Sequence, residues 1–503
     1  MPILLDRARG LSVLSIHWPI IRKLLANPHG VVAVDDRRSY RGIEVLVGAL
    51  HVAAAVRSKC ASRTVGVMTP TSGVFPMAAL AGWMLGKTVV PLNYLLKKEE
   101  LQYVVDDCGA DTIVTSRLLL EHLDSAPKVA NMLILEDMDF GGVPEPIWPA
   151  GAEEDDLAVL LYTSGTSGRP KGVMLTHGNL RANMEQIIEW VNIDPGDVIV
   201  GVLPQFHTFG LTVLTLLPLT VGMKTAYTAR FVPQKIVRLI REHRPTVFVA
   251  IPSMYNALLA AKDAKPEDFA SLRLIVSGGE PLPDAVFQRF YERFGVRITE
   301  GYGLTETAPV TNWCRPSEWK LHSVGRPLPR VTERIADINT GRILDVGEEG
   351  EVQIAGPNVM KGYYHHAEQT AAAFTADGFF KTGDIGRFDE DGHLFITGRL
   401  KEMLIIGGEN VFPREIEEVL NQHETVGASG VVGMQDPMRG EVPIAFVELR
   451  EGVDKGRFDE KGLQMWCRKS LAGYKVPAEI RLMESLPRNP TGKVLRRELK
   501  KLV

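Results

Sequence analysis

The chain is 503 residues long, more than one hydrophobic core usually organises, so two or more domains are expected. Hydrophobic residues make up 45% and charged residues 23%, the ordinary balance of a soluble globular protein. The formal net charge of −4 gives no basic footprint for nucleic acid.

The four cysteines, Cys60, Cys108, Cys314 and Cys467, stand far apart with no CxxC pair. They read as free thiols in a reducing compartment, not as metal ligands or a disulfide framework. Met1 to Gly10 carries Asp6, Arg7 and Arg9 after a short apolar stretch, unlike a signal peptide. The longest apolar run, Gly210 to Met223, is too short to span a bilayer, contains Pro218 and reads as core. A cytoplasmic protein is expected, without an integral membrane segment and meeting a membrane surface only through its substrate. Homo-oligomerisation stays open.

In chain order, helical spacing covers Ser39 to Lys59, and a β-branched run follows at Thr64 to Met68. A helix at Ala78 to Leu85, a strand at Thr88 to Pro91, a helix at Leu101 to Asp107 and a strand at Asp111 to Ser116 continue the alternation. A second alternation runs through Leu157 to Tyr162, Pro233 to His243, Val247 to Ile251, Leu272 to Ser277, Asp284 to Phe294 and Val296 to Thr299. This βα rhythm predicts largely parallel sheets covered by helices. From about Ser323 the strands shorten and glycines and charges become frequent, as at Glu351 to Ala355 and His393 to Thr397. The last hundred or so residues carry helices at Arg414 to Leu420 and Gly462 to Ser470 and strands at Ala428 to Val432 and Ile444 to Leu449. The expected fold is α/β: a large N-terminal domain, residues 1–399, of layered βαβ subdomains plus a small β-barrel-like part. A small C-terminal α+β domain, residues 400–503, follows. With no low-complexity linker in sight, the boundary reads as a sharp hinge.

The most informative stretch is Tyr162-Thr163-Ser164-Gly165-Thr166-Ser167-Gly168-Arg169-Pro170-Lys171-Gly172, directly after an apolar strand. Hydroxyls, glycine amides and a lysine suit a polyphosphate. It is not a Walker A loop, because Pro170 stands where that pattern needs glycine. On its own, such a loop fits a plain surface turn about equally well.

The loop resembles the signature of the adenylate-forming superfamily, which includes acyl-CoA synthetases, luciferases and the adenylation domains of peptide synthetases. Five further segments resemble that family's motifs in the same order. They are Pro204 to Gly210 (PQFHTFG), Glu300 to Glu306 (EGYGLTE), Lys381 to Asp384 (KTGD), Gly398 to Glu402 (GRLKE) and Pro487 to Lys493 (PRNPTGK). Gly278 to Leu282 and Gly362-Tyr363-Tyr364 also fit.

The resemblance implies roles residue by residue. Lys493 would contact the acyl carboxylate and the phosphate during adenylation. Without the motif it is a surface lysine in a basic tail. Thr305 would hydrogen-bond the α-phosphate, and Glu306 would ligate Mg2+, a hard cation that pairs carboxylate with phosphate oxygens. Thr163, Ser164, Gly165, Thr166 and Lys171 would hold the pyrophosphate. Gly279, Glu280, Gly301, Tyr302 and Gly303 would frame the adenine, with Tyr302 as a stacking face. Asp384 would take the ribose hydroxyls, and Arg399 would add a positive donor near the ribose or phosphate. His207 would lie beside the acyl carboxylate, with Phe209, Gly210 and Leu304 lining the acyl pocket. Lys401 would be the hinge about which the C-terminal domain turns between half-reactions. Gly407-Gly408 would admit the pantetheine thiol of coenzyme A, although the pair also reads as a plain hairpin turn.

By resemblance, then, the chain is expected to be an acid–thiol ligase using ATP, Mg2+ and coenzyme A. The apolar FHTFGLTVLTLLPL stretch holds no carboxylate to pair an amino group, which points to a fatty acid of medium or long chain. The absence of a long insertion after Arg399 favours coenzyme A over a carrier protein. An acyl-carrier-protein ligase, an aryl-acid–CoA ligase and a catalytically silent lipid- or nucleotide-binding protein are the alternatives.

Overall fold

The computed structural model describes residues 14–123, 125–164, 169–488 and 494–503, with Ser164 described by its backbone alone. Two sheets with parallel centres dominate. The first runs, in spatial order, Val310–Trp313, Thr299–Gly303, Leu274–Ser277, Val247–Ala250, Val198–Gly201, Lys224–Tyr227, Val31–Val34 and Ser39–Arg41, and only its two edge pairings are antiparallel. The second runs Gly362–Tyr363, Pro170–Thr176, Leu157–Ser164, Thr88–Pro91, Thr64–Met68, Thr112–Thr115 and Asn131–Ile134. Its last five strands are parallel and its first three pair antiparallel. The continuous β-branched runs read from the sequence belong here, because a parallel strand is buried on both faces.

Helices fill the space between and around these sheets. Val74–Met84 is apolar all round and every residue after Val74 is buried, as a helix between two layers requires. It packs on Gly42–Lys59, which begins at Gly42 and not at Ser39, because Ser39–Arg41 pairs with Val31–Val34 as an edge strand. Val296 to Thr299 likewise shifts: the strand is Thr299–Gly303. Among the helices without a counterpart in the expected order are His17–Ala26 and His177–Val191. The first is anchored by histidines. His17 Nε2 lies 2.9 Å from the Ala150 carbonyl, and His177 Nδ1 accepts the Ile16 amide at 3.2 Å.

The apolar run after Gly210 is core, as expected. It forms Thr208–Leu211, a widened turn Thr212–Leu216 and Leu217–Val221. Pro218 explains the widening. Its ring displaces the carbonyl four residues back, Leu214, from helical bonding. That carbonyl accepts the Tyr227 hydroxyl at 2.9 Å instead, and the Leu217 amide reaches Thr212 O.

A third, antiparallel sheet comprises Thr332–Ala336, Gly350–Ala355, Phe380–Phe388 and Leu394–Arg399. A fourth contains only strands after Leu404: Glu409–Val411, Leu404–Ile406, Gly440–Leu449 and Val426–Asp436, with Glu479–Leu482 beside Gly440–Leu449. Its cores, around Ile416, Val431 and Leu463 on one face and Ile444, Phe446 and Leu499 on the other, are separate from the main one. All four cysteines are free and buried. Among the described residues no helix is long and apolar enough to cross a membrane.

Candidate active site

The glycine-rich stretch closes a hairpin, not a strand-to-helix turn. Leu157–Ser164 pairs antiparallel with Pro170–Thr176, so Thr163 faces Lys171 and Ser164 faces Pro170. Charge stabilisation there falls to amides, hydroxyls and Lys171. Gly165 and Thr166 lie outside the described residues.

Lys171 Nζ stands 5.5 Å from the Tyr363 ring centroid, and the Tyr363 hydroxyl donates to Glu306 Oε1 at 2.9 Å. Glu306 follows half-buried Thr305 in a single turn, Thr305–Thr307, and its carbonyl accepts the Met360 amide at 2.7 Å. Burial pushes the Glu306 carboxyl above the usual range, and the Tyr363 hydroxyl and Arg399 oppose that shift. A cation is what would most lower that energy.

Asp384 is 2% exposed and both its oxygens are engaged. Tyr302 Oη donates to Oδ2 at 2.7 Å, and Arg399 Nε lies 2.6 Å from Oδ1. The pairing is dictated by register, since Asp384 sits directly across from Arg399 on neighbouring antiparallel strands. Gly383 has φ +69 and its amide is held by Glu351 at 3.1 Å, while Thr382 Oγ1 accepts the Asp384 amide at 3.0 Å. The Asp384 carboxylate raises the Arg399 pKa above its ordinary value. Tyr302 is thus tethered by its hydroxyl, which fixes the ring that the resemblance assigns to adenine.

The glycines around Tyr302 are required by close approach. A Cβ on Gly303 would lie 2.0 Å from the Pro309 carbonyl, and one on Gly278 would lie 2.9 Å from the Phe209 ring. Gly301 pairs with Trp313. Gly279, at φ +81, needs glycine for its backbone conformation, and half-buried Glu280 follows it. Gly210 approaches the Pro204 carbonyl, where a Cβ would stand at 2.1 Å, so it seats the short helix rather than offering a surface. Leu304 packs half-buried against the main core, its amide held by Thr307 Oγ1 at 3.0 Å.

His207 caps the helix Thr208–Leu211, accepting the Phe209 amide at 3.4 Å. Water reaches its ring, yet the surrounding protein desolvates it and lowers its pKa to about 4. The imidazole is neutral at pH 7.

Lys401 is the exposed middle residue of the turn Leu400–Glu402, immediately after Arg399. Glu402 and Glu417 clasp Arg496, at 2.7 Å from Glu402 and at 2.6 and 3.1 Å from Glu417. Gly407 and Gly408, at φ +62 and +90, join Leu404–Ile406 to Glu409–Val411 as an exposed tight hairpin. Lys493 lies outside the described residues. The bridge between Arg488 and Val494 closes the loop that carries it.

The structure therefore brings together Lys171, Glu306, Tyr302, Asp384 and Arg399. Three supporting residues escaped the sequence reading of the site: Tyr363, Thr382 and Glu351. Tyr363 had a signal in the Gly362-Tyr363-Tyr364 run and Thr382 in the Lys381 to Asp384 motif. Glu351 acts on the Gly383 amide from another strand, which no spacing reveals. Among the described residues no group of three or more His, Cys, Asp or Glu could hold a metal ion. Glu306 by itself suits an ion that arrives on a phosphate substrate.

The profile of the AMP-binding enzymes matches residues 23–364, and that of the AMP-binding enzyme C-terminal domain matches residues 415–493. A long-chain-fatty-acid–CoA ligase of Bacillus subtilis (strain 168) is 33% identical over 91% of this chain and 89% of its own. A feruloyl-CoA synthase of an Amycolatopsis species is 33% identical over 96% and 98%. The solved o-succinylbenzoate CoA synthetase of Bacillus subtilis, in complex with its acyl-adenylate intermediate, superposes with a TM-score of 0.84 at 30% identity, covering 96% of this chain and 97% of that one.

Proposed function

The chain belongs to the AMP-binding enzyme family, and from that premise we propose that it is an ATP-dependent, AMP-forming acid–CoA ligase acting on an apolar, fatty carboxylic acid. The observation that carries the reading is the Tyr302–Asp384–Arg399 cluster beside Glu306 and Lys171. It offers a nucleoside a diol acceptor, a ring and positive donors, and a polyphosphate a lysine. In the first half-reaction a carboxylate oxygen of the acid attacks the α-phosphorus of ATP. The bond to the bridging oxygen breaks and pyrophosphate leaves. In the second, the thiol sulfur of coenzyme A attacks the acyl carbonyl, AMP leaves, and the thiol proton passes to solvent.

Joining two anions needs fixed cations and donors where charge gathers. Lys171 and the Thr163 hydroxyl serve the pyrophosphate, Arg399 the α-phosphate side, and Lys493 the attacking carboxylate. Glu306 would hold Mg2+, which supplies charge neutralisation on the phosphates. His207, neutral and desolvated, accepts no proton at pH 7 and orients the carboxylate by hydrogen bonding. The domain boundary lies after Arg399. Rotation about Lys401 exchanges the loop of Lys493 for the Gly407-Gly408 turn, which gives the thiol its entry.

The fatty preference is supported by Phe206, Phe209 and Leu211 around His207 and by the fatty-acid relative. An aryl acid is the second reading, favoured by the Phe209 ring lying against Gly278 and by the equally similar feruloyl relative. A panel of free acids with AMP release as the readout tests both. Coenzyme A-dependent AMP release is expected, largest with a medium or long alkanoate. If AMP appears only with a carrier protein, or if cinnamates outrun every alkanoate, the acceptor or the acid is wrong. Lys493→Ala is expected to depress pyrophosphate exchange while leaving thioester formation from supplied acyl-adenylate. Equal loss of both halves refutes the rotation.

A further inference from the structure

A second cleft, of about 500 Å³, is lined by none of the site residues named above. Its size falls within the ~300–1,000 Å³ typical of small-molecule sites. It opens at the carboxyl ends of five parallel strands, those ending at Val34, Met68, Thr115, Ile134 and Tyr227. In sheets of this kind that is where ligands bind.

The interior is apolar, formed by Val47, Val74, Met77, Leu118, Leu135 and Phe140. One polar atom stands out within it. Among the described residues, His51 Nε2 is shut off from water and has no hydrogen-bond partner, with its ring edge-on to Phe140 at 5.7 Å. A buried polar atom left unpaired is costly and marks a place where a ligand group can complete it.

The rim carries four acids and two arginines, and their contacts decide its preference. The acids are committed. Asp35 accepts the Tyr40 hydroxyl at 2.7 Å and the Gly73 amide at 3.0 Å. Asp36 pairs with Lys235 at 2.7 Å, Glu44 accepts the Arg41 amide at 2.6 Å, and Glu136 the Arg117 amide at 2.8 Å. The arginines keep donors free. Arg37 is 60% exposed with Glu136 at 3.8 Å, and Arg38 is 51% exposed with Glu44 at 3.4 Å and lies over the Tyr40 ring at 4.3 Å. Each guanidinium has five donors and no acceptor, so most of theirs face solvent.

We propose that this cleft is a second ligand site, binding an amphipathic fatty carboxylate with its head on Arg37 and Arg38 and its chain running past His51 toward Phe140. The cleft meets the His207 segment where the Ser72 amide donates to Gln205 Oε1 at 2.9 Å. It stands independently of the acid–CoA ligase reading.

Calorimetric titration of the full chain with dodecanoate tests it, with dodecanol as the uncharged control. Arg37→Ala/Arg38→Ala should weaken one dodecanoate-binding event by about tenfold or more, since charge-assisted bonds to a carboxylate are being removed. Arg37→Lys/Arg38→Lys should restore most of it, and Leu118→Trp should abolish it by filling the cleft. Dodecanol should bind no better to wild type than to the double-alanine variant. Unchanged far-UV dichroism and pyrophosphate exchange in these variants show that the fold is kept. Wild-type chain that binds no dodecanoate overturns the proposal. So does binding whose stoichiometry and affinity are the same in wild type, Arg37→Ala/Arg38→Ala and Leu118→Trp. Failure here leaves AMP release intact, so it is distinguishable from failure of the proposed function.

Discussion

Replacing Asp384 by Asn tests the nucleotide reading most directly. Asn keeps the shape but turns one acceptor oxygen into an NH2 donor. Arg399 can only donate, whereas the Tyr302 hydroxyl can donate or accept. The amide oxygen therefore faces Arg399, the NH2 faces the Tyr302 oxygen, and both contacts of 2.6 and 2.7 Å survive in neutral form. Arg399 is 37% exposed, so solvent screens much of the lost charge. The fold should lose about 1–2 kcal/mol. The carboxylate lets both ribose hydroxyls donate, whereas beside Asn one of them must turn and accept from the neutral NH2. Losing a charge-assisted bond, about 1.5–3 kcal/mol, should raise the KM for ATP by about 10- to 150-fold. Pyrophosphate exchange with ATP and with 2′,3′-dideoxy-ATP is the assay. Wild type should discriminate strongly between the two, and Asp384→Asn should discriminate far less. Either of two results refutes the reasoning. One is a variant that keeps the wild-type KM. The other is a variant that loses the same factor with both nucleotides.

Other predictions concern support around the site. His17 and His177 both have pKa values lowered to about 4, chiefly by burial, and both are effectively inaccessible. Their folded pKa values lie below the unfolded one, so stability is full above about pH 6.5 and falls as pH drops toward 4, by on the order of 3 kcal/mol per histidine. Urea midpoints between pH 7 and 4.5 should fall accordingly, and a flat profile contradicts the assignment. Glu306→Gln keeps an acceptor for Tyr363 but loses the charge. It should cut pyrophosphate exchange by about 100-fold with unchanged melting, and raise the Mg2+ concentration for half-maximal rate. Gly303→Ala should prevent folding, because its Cβ would meet the Pro309 carbonyl at 2.0 Å. Gly279→Ala, where only φ +81 opposes the change, should cost about 1 kcal/mol. Thermal melting of the two side by side separates clash from strain. Arg496→Met leaves Glu402 and Glu417 facing each other and should cost about 3 kcal/mol, read as faster proteolysis after Lys401.

Much of this was legible along the chain. Motif order singled out Glu306, Asp384 and Arg399, which the structure brings near one another, and periodicity found Pro233–His243 and Asp284–Phe294 to the residue. Those signals are local: a helix face repeats every few residues, and a motif lies within one turn. Other features depend on partners remote in sequence. Ser39–Arg41 reads as the start of a helix until Val31–Val34 lies beside it. His17 and Ala150 are 133 residues apart, and Tyr363 and Glu306 are 57 apart. The glycine-rich stretch shows the division most plainly. Its composition suited a phosphate loop and a plain surface turn about equally, and the family motif decided between them. Only the antiparallel register of Leu157–Ser164 with Pro170–Thr176 showed that its two ends pair as a hairpin, with Thr163 across from Lys171. Residue types dictate which chemistry is available. Pairing across the sheets decides which groups share one water-poor space, because burial and Coulomb interactions act through distance in space and not along the chain.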